Sequence, residues 1–231
     1  MRLLLPLLDL FFPRRCVLCG DKSGFPAEDT GACASCLQNI LRPEVCCPYC
    51  AHPVKAGIQL CPVCWEQSFS FSAVCAVTLY RGTVKRTIHQ YKYRGCKDLA
   101  QPLGKLMAMQ VVRCRWPVFN AVVPVPLHRE KLLLRGYDQA LLLAQVVASE
   151  LELPVGQLLV RERPTLTQTK LDANGRWDNM AGSFKAVIKG EVPQRVLLID
   201  DLLTTGATAH FAGEALRHAG VSQVFVAVVG R

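Results

Sequence analysis

The sequence predicts a mixed α/β fold with a mainly parallel sheet, preceded by a small cysteine-rich domain. Eight cysteines form four C-x2-C pairs before residue 65, whereas strand-like and helix-like segments alternate after about residue 70. Strands that alternate with helices are typical of a parallel sheet with helices on both faces. We therefore expect one domain over residues 1–70 and a second over residues 71–231.

The apolar segment at residues 3–12 is expected to form a short helix that docks on the folded body. Pro6 and Asp9 interrupt it, and two arginines follow where a signal peptide would carry small residues. No stretch of the sequence reaches the roughly 18 consecutive apolar residues that a membrane-spanning helix needs. We therefore predict that the chain has no membrane span and a cytoplasmic location.

The cysteine pairs have the spacing of zinc knuckles, in which a tight turn directs two thiolates at one ion. One redox-active pair would account for only two of these cysteines. A segment of this size buries too little apolar surface to fold alone, and each zinc can contribute on the order of 10 kcal/mol. We predict two structural Zn²⁺ ions whose ligands are Cys16, Cys19, Cys33, Cys36, Cys47, Cys50, Cys61 and Cys64.

Two details of these zinc sites stay open in the sequence. Sequential pairing joins the first two cysteine pairs and the last two, but a cross-braced arrangement has the same spacing. Cys46 could replace Cys47 as a ligand, although the distance in sequence to Cys50 favours Cys47. Because four thiolates and one zinc carry a formal charge of −2, two such sites would lower the net charge from +9 to +5.

The positive charge is concentrated in one part of the chain. Residues 81–135 contain 12 basic side chains and only two acidic ones. Such a block attracts polyanions, either a polyphosphate metabolite or nucleic acid. Tyr91, Tyr93 or Trp116 could offer a stacking face to the bases of a single strand.

Hydrophobic periodicity predicts the elements of the second domain. Strands are expected at residues 72–80, 121–125, 158–161, 196–199 and 223–229, and helices at residues 83–93, 99–112, 137–151 and 207–218. The strand at residues 196–199 is wholly apolar and is followed at once by Asp200 and Asp201. Ligands of parallel α/β proteins bind at this carboxyl edge of the sheet.

The segment after these carboxylates predicts a phosphate site. Gly206 permits close approach of the backbone, and the amides at the start of the next helix favour an anion. Two neighbouring carboxylates suit the two hydroxyls of a ribose. The predicted phosphate ligands are Thr204, Thr205, Gly206, Ala207 and Thr208.

The stretch VLLIDDLLTTGAT at residues 196–208 resembles the motif that binds phosphoribosyl pyrophosphate (PRPP) in type I phosphoribosyltransferases. Together with the zinc knuckles, IHQYKYRG at residues 88–95, VVPVPLHREKLLLRGYDQA at residues 122–140 and RPTLTQTKLDANGRWDNMAGSF at residues 163–184, it resembles the ComF family, including its GntX branch. Tyr137 and Asp138 stand where that family usually has Phe-Asn. Thr204 replaces an aspartate of hypoxanthine-type enzymes, which argues against purine salvage.

The resemblance implies a type I phosphoribosyltransferase fold and assigns roles. Asp200 and Asp201 would bind the ribose hydroxyls, and residues 204–208 would bind the 5′-phosphate. Candidate pyrophosphate residues are Lys92, Val125, Pro126, Leu127, His128 and Arg135. Candidate lid residues within residues 163–179 are Thr167, Gln168, Arg176 and Asn179.

The functional expectation is binding of PRPP or another ribose 5-phosphate ligand with Mg²⁺, in DNA uptake or the use of imported DNA. The phosphoribosyl group could then be transferred to an acceptor, as in a glycosyltransferase, but the sequence identifies neither the acceptor nor a catalytic residue. The alternative is a non-catalytic accessory protein of DNA uptake that binds nucleic acid and keeps a vestigial or sensory PRPP site. Its partners would be single-stranded DNA or the DNA-uptake machinery.

Overall fold

The computed structural model describes residues 15–22, 30–41, 45–163, 177 and 180–231. The helix predicted at residues 3–12 lies outside the described residues. The helices are α1 (Ala34–Leu41), α2 (Pro62–Glu66), α3 (Gly82–Tyr93), α4 (Ala100–Arg113), α5 (Arg129–Arg135), α6 (Gln139–Glu150) and α7 (Ala207–His218). The strands are β1 (Ala73–Thr78), β2 (Ala121–Pro124), β3 (Leu159–Arg161), β4 (Phe184–Ala186), β5 (Arg195–Leu202) and β6 (Gln223–Gly230). None of the helices in the described part of the chain has the length and apolarity to cross a bilayer.

Four strands form a parallel sheet in the order β1-β6-β5-β2. The central strand β5 sets the register, with Leu198 beside Val123 of β2 and Val226 of β6. Strands β3 and β4 pair separately and antiparallel. Helices connect the parallel strands, as such crossovers require. The predicted fold class, a mixed α/β fold with a mainly parallel sheet, is confirmed.

Alternate residues of β5 face opposite sides of the sheet, and both sides are covered. Leu197 and Ile199 belong to a core that includes apolar side chains of α3, α4 and α6. Val196 and Leu198 belong to a second core with α7, β3 and β4. A strand that is buried on both faces reads as a continuous apolar run, which is why the run at residues 196–199 could be recognised.

Three kinds of element were missed by the periodicity. Helix α5 carries three consecutive leucines, of which Leu133 and Leu134 are 74% and 86% exposed, so no buried stripe marks it. Its ends are set locally, since the His128 side chain accepts from the amide of Glu130 and Gly136 closes the helix at φ 75°. Strand β4 has only three residues. Helices α1 and α2 lie among the cysteine pairs, where metal spacing rather than hydrophobic period determines the fold.

The cysteine-rich segment packs directly on the α/β part. The hydroxyl of Thr87 on α3 donates to the carbonyl of Val17 at 2.7 Å, and Leu18 and Ala32 enter the core above α3 and α4. Farther along, the hydroxyl of Tyr49 donates to the carbonyl of Phe69 at 3.2 Å. The boundary near residue 70 stays a prediction.

Gly104 allows α4 and α6 to approach closely. A Cβ at this position would lie 2.6 Å from Cβ of Val146, closer than real Cβ contacts come. We expect Gly104→Ala to lower the free energy of unfolding by about 1–3 kcal/mol through overpacking, although alanine favours helix. Urea unfolding followed by circular dichroism would measure the change. The matched control is Gly213→Ala on α7, whose new methyl would stand 3.4 Å from Ser70, and an equal loss there would contradict the packing argument.

Candidate functional site

The eight paired cysteines form two clusters, each from two consecutive pairs. The sulfur atoms of each cluster lie within 4.8 Å of one another, and the two sets are Cys16, Cys19, Cys33 and Cys36, and Cys47, Cys50, Cys61 and Cys64. The pairing is therefore sequential, and the cross-braced alternative is excluded. Cys47 rather than Cys46 belongs to the cluster, since the Cys47 sulfur is the one that lies within 4.8 Å of the other three.

The sulfur spacing fits tetrahedral zinc. Four sulfurs at the usual zinc distance of about 2.3 Å lie about 3.8 Å apart. The Sγ atoms of Cys19 and Cys33 are 3.6 Å apart, and so are those of Cys50 and Cys61. With four thiolates at each ion no coordination position is left for a substrate, so the clusters are structural.

One thiol of each cluster has a lowered pKa. Burial would raise the pKa of Cys16, but amide hydrogen bonds, including one from Cys33 at 3.3 Å, lower it to about 7. Cys47 has a lowered pKa of about 7 for the same reason. Burial and neighbouring sulfurs raise the pKa of Cys36 and of Cys64. Four thiolates in so small a volume therefore require a cation.

A cleft of about 500 Å³ lies at the carboxyl edge of the parallel sheet. Its walls come from the ends of β2 and β5, from α3 and α5, and from the first turn of α7. Most of the residues that the sequence singled out for phosphate and ribose lie there together: Lys92, Val125, Pro126, Leu127, Arg135, Asp200, Asp201, Thr204, Gly206, Ala207 and Thr208. Thr205 and His128 are not among the lining residues.

The floor of the cleft carries the two carboxylates. Asp201 is buried and its Oδ1 lies 2.9 Å from Nζ of Lys92, so the lysine assigned to pyrophosphate is paired with a carboxylate here. Asp200 accepts from the amide of Asp201 at 2.8 Å. Burial, and then the charge of Asp201, raises the pKa of Asp200 to about 7. Burial alone would lower the pKa of Lys92, but Asp201 and Asp200 outweigh it and raise that pKa.

The turn between β5 and α7 forms one wall. Gly206 has φ 86° and immediately precedes α7, whose first amides have no partner within the helix. A Cβ on Gly206 would lie 2.9 Å from the Phe69 ring, so the ring behind the turn requires glycine here. Thr205 is turned to a local role, because its hydroxyl accepts from the amide of Ala207 at 3.4 Å. The turn thus offers backbone amides at a helix N-terminus, an arrangement that favours anions.

The loop after β2 forms the opposite wall and is held by Asp138. One carboxylate oxygen of Asp138 accepts from the amide of Leu127 at 3.1 Å, and the other caps α6 by accepting from Leu141 at 3.0 Å. This carboxylate therefore holds the loop in place by accepting the hydrogen bond of the Leu127 amide, which a phosphate would otherwise accept. His128 caps α5, as described above. The four lid residues Thr167, Gln168, Arg176 and Asn179 lie outside the described residues.

The structure adds cations that sequence reasoning missed. Lys131 on α5 and Arg161 on β3 both line the cleft. Burial, and then the charges of Arg161 and Arg135, lowers the pKa of Lys131 to about 8, and burial also lowers the pKa of Arg161. Arg135 donates to Gln139 at 2.7 Å and lies over the Tyr93 ring. Lys131 belonged to the basic block, but nothing in the three-residue strand β3 marked Arg161.

The clusters predict a specific metal content. Purified protein should hold about two zinc ions per chain by mass spectrometry of the metal, on the rule of four thiolates per ion. Cys47→Ser should lose one ion and unfold the second cluster, because the tetrahedron loses a ligand. Cys46→Ser is the matched control in the neighbouring position and should keep both ions. Zinc loss in the control, or retention in Cys47→Ser, would show that the ligand set is wrong.

Comparison with known proteins gives likenesses over nearly the whole chain. Residues 7–57 match the family described as double zinc ribbon domain. The chain is 29% identical to Competence protein F of Haemophilus influenzae, over 94% of this chain and 96% of that protein. It is 26% identical to the DNA utilization protein YhgH of Escherichia coli K12 over the same shares. It is 27% identical to Competence protein ComFC of Bacillus subtilis, over 83% of this chain and 80% of that protein. The two four-cysteine clusters, the parallel α/β sheet and these likenesses support the resemblance of the sequence to the ComF family.

Proposed function

We propose that the cleft binds PRPP, or another ribose 5-phosphate ligand, with Mg²⁺. The observation that carries this proposal is that paired carboxylates, a helix N-terminus and three cations line the same cleft. The cations are Lys131, Arg135 and Arg161. A ligand with one phosphate, a sugar diol and a second phosphate group would match these groups.

The wall at β5 and α7 suits the sugar phosphate. Asp200 and Asp201 can each accept a hydrogen bond from a ribose hydroxyl, and the turn from Thr204 to Ala207 can surround the 5′-phosphate with amides. Since Asp201 pairs with Lys92 at 2.9 Å, a ribose hydroxyl would have to share that carboxylate or release the lysine toward the ligand. Lys92 would then be free to contact pyrophosphate, as the sequence suggested.

The opposite wall suits pyrophosphate. Arginine binds phosphate oxygens through two parallel N–H groups, and lysine supplies a compact charge. Mg²⁺ would be held by ligand oxygens, with one or two carboxylates at most, as is usual for this ion. Asp200 is the better candidate of the two because Lys92 forms its ion pair with Asp201.

Such a complex would permit transfer of the phosphoribosyl group. The bond from C1 to the pyrophosphate oxygen breaks, pyrophosphate leaves with the electron pair, and an acceptor forms the new bond at C1. The protein would act by positioning and by stabilising charge on the leaving group, so no covalent nucleophile is needed. Relatives named for competence and DNA utilization support placing this chemistry, or ligand sensing by the same cleft, in DNA uptake and use.

Calorimetric titration with PRPP, with and without Mg²⁺, tests the site. Asp200→Asn and Asp201→Asn should each weaken binding by about 1–3 kcal/mol, because a charged acceptor for a ribose hydroxyl is lost. Asp98→Asn is the control, since Asp98 is exposed and does not line the cleft. If the wild-type protein binds neither PRPP nor ribose 5-phosphate at millimolar concentration, the proposal fails.

The affinity for PRPP should also depend on pH with a maximum between about 7 and 8. Asp200 has a raised pKa of about 7, so its charged acceptor is present above that pH and lost below it. Lys131 has a lowered pKa of about 8, so its cation is present below that pH and lost above it. The acidic limb should disappear in Asp200→Asn and the alkaline limb in Lys131→Arg. If the affinity for PRPP depends on pH in the same way in these variants as in the wild type, the titrating groups are the phosphates of the ligand rather than Asp200 and Lys131.

Helix α3 supports a second candidate function, the binding of single-stranded nucleic acid. Residues 81–94 contain five basic and no acidic side chains, and Lys85, Arg86 and Arg94 are exposed. Tyr93 is 54% exposed and could stack with a base, whereas Tyr91 is fully buried and Trp116 packs on Phe225. A strand could follow α3 by its phosphates.

Charge reversal on α3 tests this second function. Arg86→Glu with Arg94→Glu should weaken binding of a labelled oligothymidylate, measured by anisotropy, and reduce the slope of log K against log salt by about two. The matched control is Arg113→Glu with Arg115→Glu, since these exposed arginines lie at and just after the C-terminal end of α4, which leads into the start of β2 rather than to the cleft. PRPP affinity should change little in either variant. Equal effects of both pairs on DNA binding would rule out α3 as the specific surface.

A further inference from the structure

Arg231 contacts both the second cysteine cluster (Cys47, Cys50, Cys61 and Cys64) and the turn at residues 203–206 between β5 and α7. We call this turn the phosphate turn. Its Nε donates to the carbonyl of Cys50 at 2.8 Å, and its Nη2 lies 3.6 Å from the Cys50 sulfur. Its Nη1 donates to the carbonyl of Thr204 at 2.6 Å and of Leu203 at 3.3 Å. One guanidinium therefore spans a predicted zinc ligand and the turn that leads into α7.

The backbone of Arg231 is itself fixed by the sheet. Its amide donates to the carbonyl of Thr78 at 3.0 Å, and its own carbonyl accepts from Tyr80 at 2.9 Å. These bonds continue the pairing of β6 with β1. The backbone of Arg231 is therefore fixed. A movement of Cys50 would have to displace the Arg231 side chain and, with it, the phosphate turn.

A second contact path runs in parallel through aromatic rings. Tyr49 lies between the cluster ligands Cys47 and Cys50, and its hydroxyl donates to the carbonyl of Phe69 at 3.2 Å. The ring of Phe69 stands directly behind Gly206, where an added Cβ would meet it at 2.9 Å. The knuckle therefore supports both ends of the turn, Leu203 and Thr204 through Arg231, and Gly206 through Phe69.

The negative charge of the second cluster strengthens its contact with Arg231. Four thiolates around one zinc carry a formal charge of −2, so the contact of the Arg231 guanidinium with the Cys50 sulfur is charge-assisted. The first cluster makes a different set of contacts. It is attached instead to the first half of α3, where Thr83 donates to the carbonyl of Cys19 at 3.0 Å.

We propose that the second zinc cluster positions the phosphate turn through Arg231 and Phe69, so that zinc occupancy of this cluster determines how well the cleft binds a 5′-phosphate. Arg231 is a positioning residue in this proposal, and the regulation rests on the proposed function of the cleft. Coupling between two sites is reciprocal, so a ligand in the cleft should hold zinc in the second cluster by the same factor.

The first experiment measures the turn without any ligand. Hydrogen exchange at residues 203–207 should be at least tenfold faster in Arg231→Met than in the wild type, with both zinc ions retained. Arg217→Met, an exposed arginine on α7, is the matched control and should leave the exchange unchanged. If Arg231→Met does not fold, Tyr49→Phe removes only one hydroxyl contact and should give a smaller increase of about two- to threefold. Wild-type exchange in both variants would overturn the proposal.

The second experiment tests the reciprocity with PRPP and Mg²⁺ as the probe. Arg231→Met should bind PRPP about tenfold more weakly than the wild type. Saturating PRPP should lower the fraction of zinc that a chromophoric chelator removes at equilibrium from the second cluster of the wild type, and should not lower it in Arg231→Met. A Cys16→Ser protein, which keeps only the second cluster, assigns the released ion.

The two proposals fail in different ways. If the wild type binds no PRPP, the proposed function is lost, and hydrogen exchange alone decides whether cluster and turn are coupled. If the wild type binds PRPP but its zinc release is unaffected and Arg231→Met binds equally well, the cleft is a PRPP site and the positioning by zinc is wrong.

Discussion

The candidate site depends on where the buried central strand β5 ends. Because this strand is covered on both faces, its neighbours determine its direction and register. The positions of its last residues are therefore fixed by packing. Asp200 and Asp201 are thereby carried into a place of low solvation, which two like charges would ordinarily avoid. Lys92 compensates one of them at 2.9 Å, and the other keeps a raised pKa.

Sequence patterns identified most of this fold because its central parts are strongly periodic. The apolar run before Asp200 and the glycine that opens α7 are short-range signals, and helix α7 was placed at the residues where the structure has it. The paired cysteines likewise determined the ligand set, while the sequential pairing needed the structure, because spacing does not say which knuckles meet in space.

The remaining site residues were beyond sequence reasoning for physical reasons. Arg161 reaches the cleft through a three-residue strand held by antiparallel pairing with β4, a long-range contact without periodicity. Lys131 lies on a helix whose leucines face outward. In the sequence Asp138 marked only a departure from the family's usual Phe-Asn, whereas in the structure its carboxylate caps α6 and accepts from the amide of Leu127 in the loop after β2. Arg231 carried no local signal at all, since both of its partners are distant in sequence.

The opposite pKa shifts of two cleft residues imply an exchange of protons within the site. At neutral pH a fraction of Asp200 is protonated and a fraction of Lys131 is neutral, since their pKa values are about 7 and about 8. A polyanion drawn to Lys131 would raise its proton occupancy, while a cation or hydroxyl donor drawn to Asp200 would release a proton there. Uptake of a proton at Lys131 and release of a proton at Asp200 would therefore oppose each other when a ligand enters the cleft, and binding would move protons within the site.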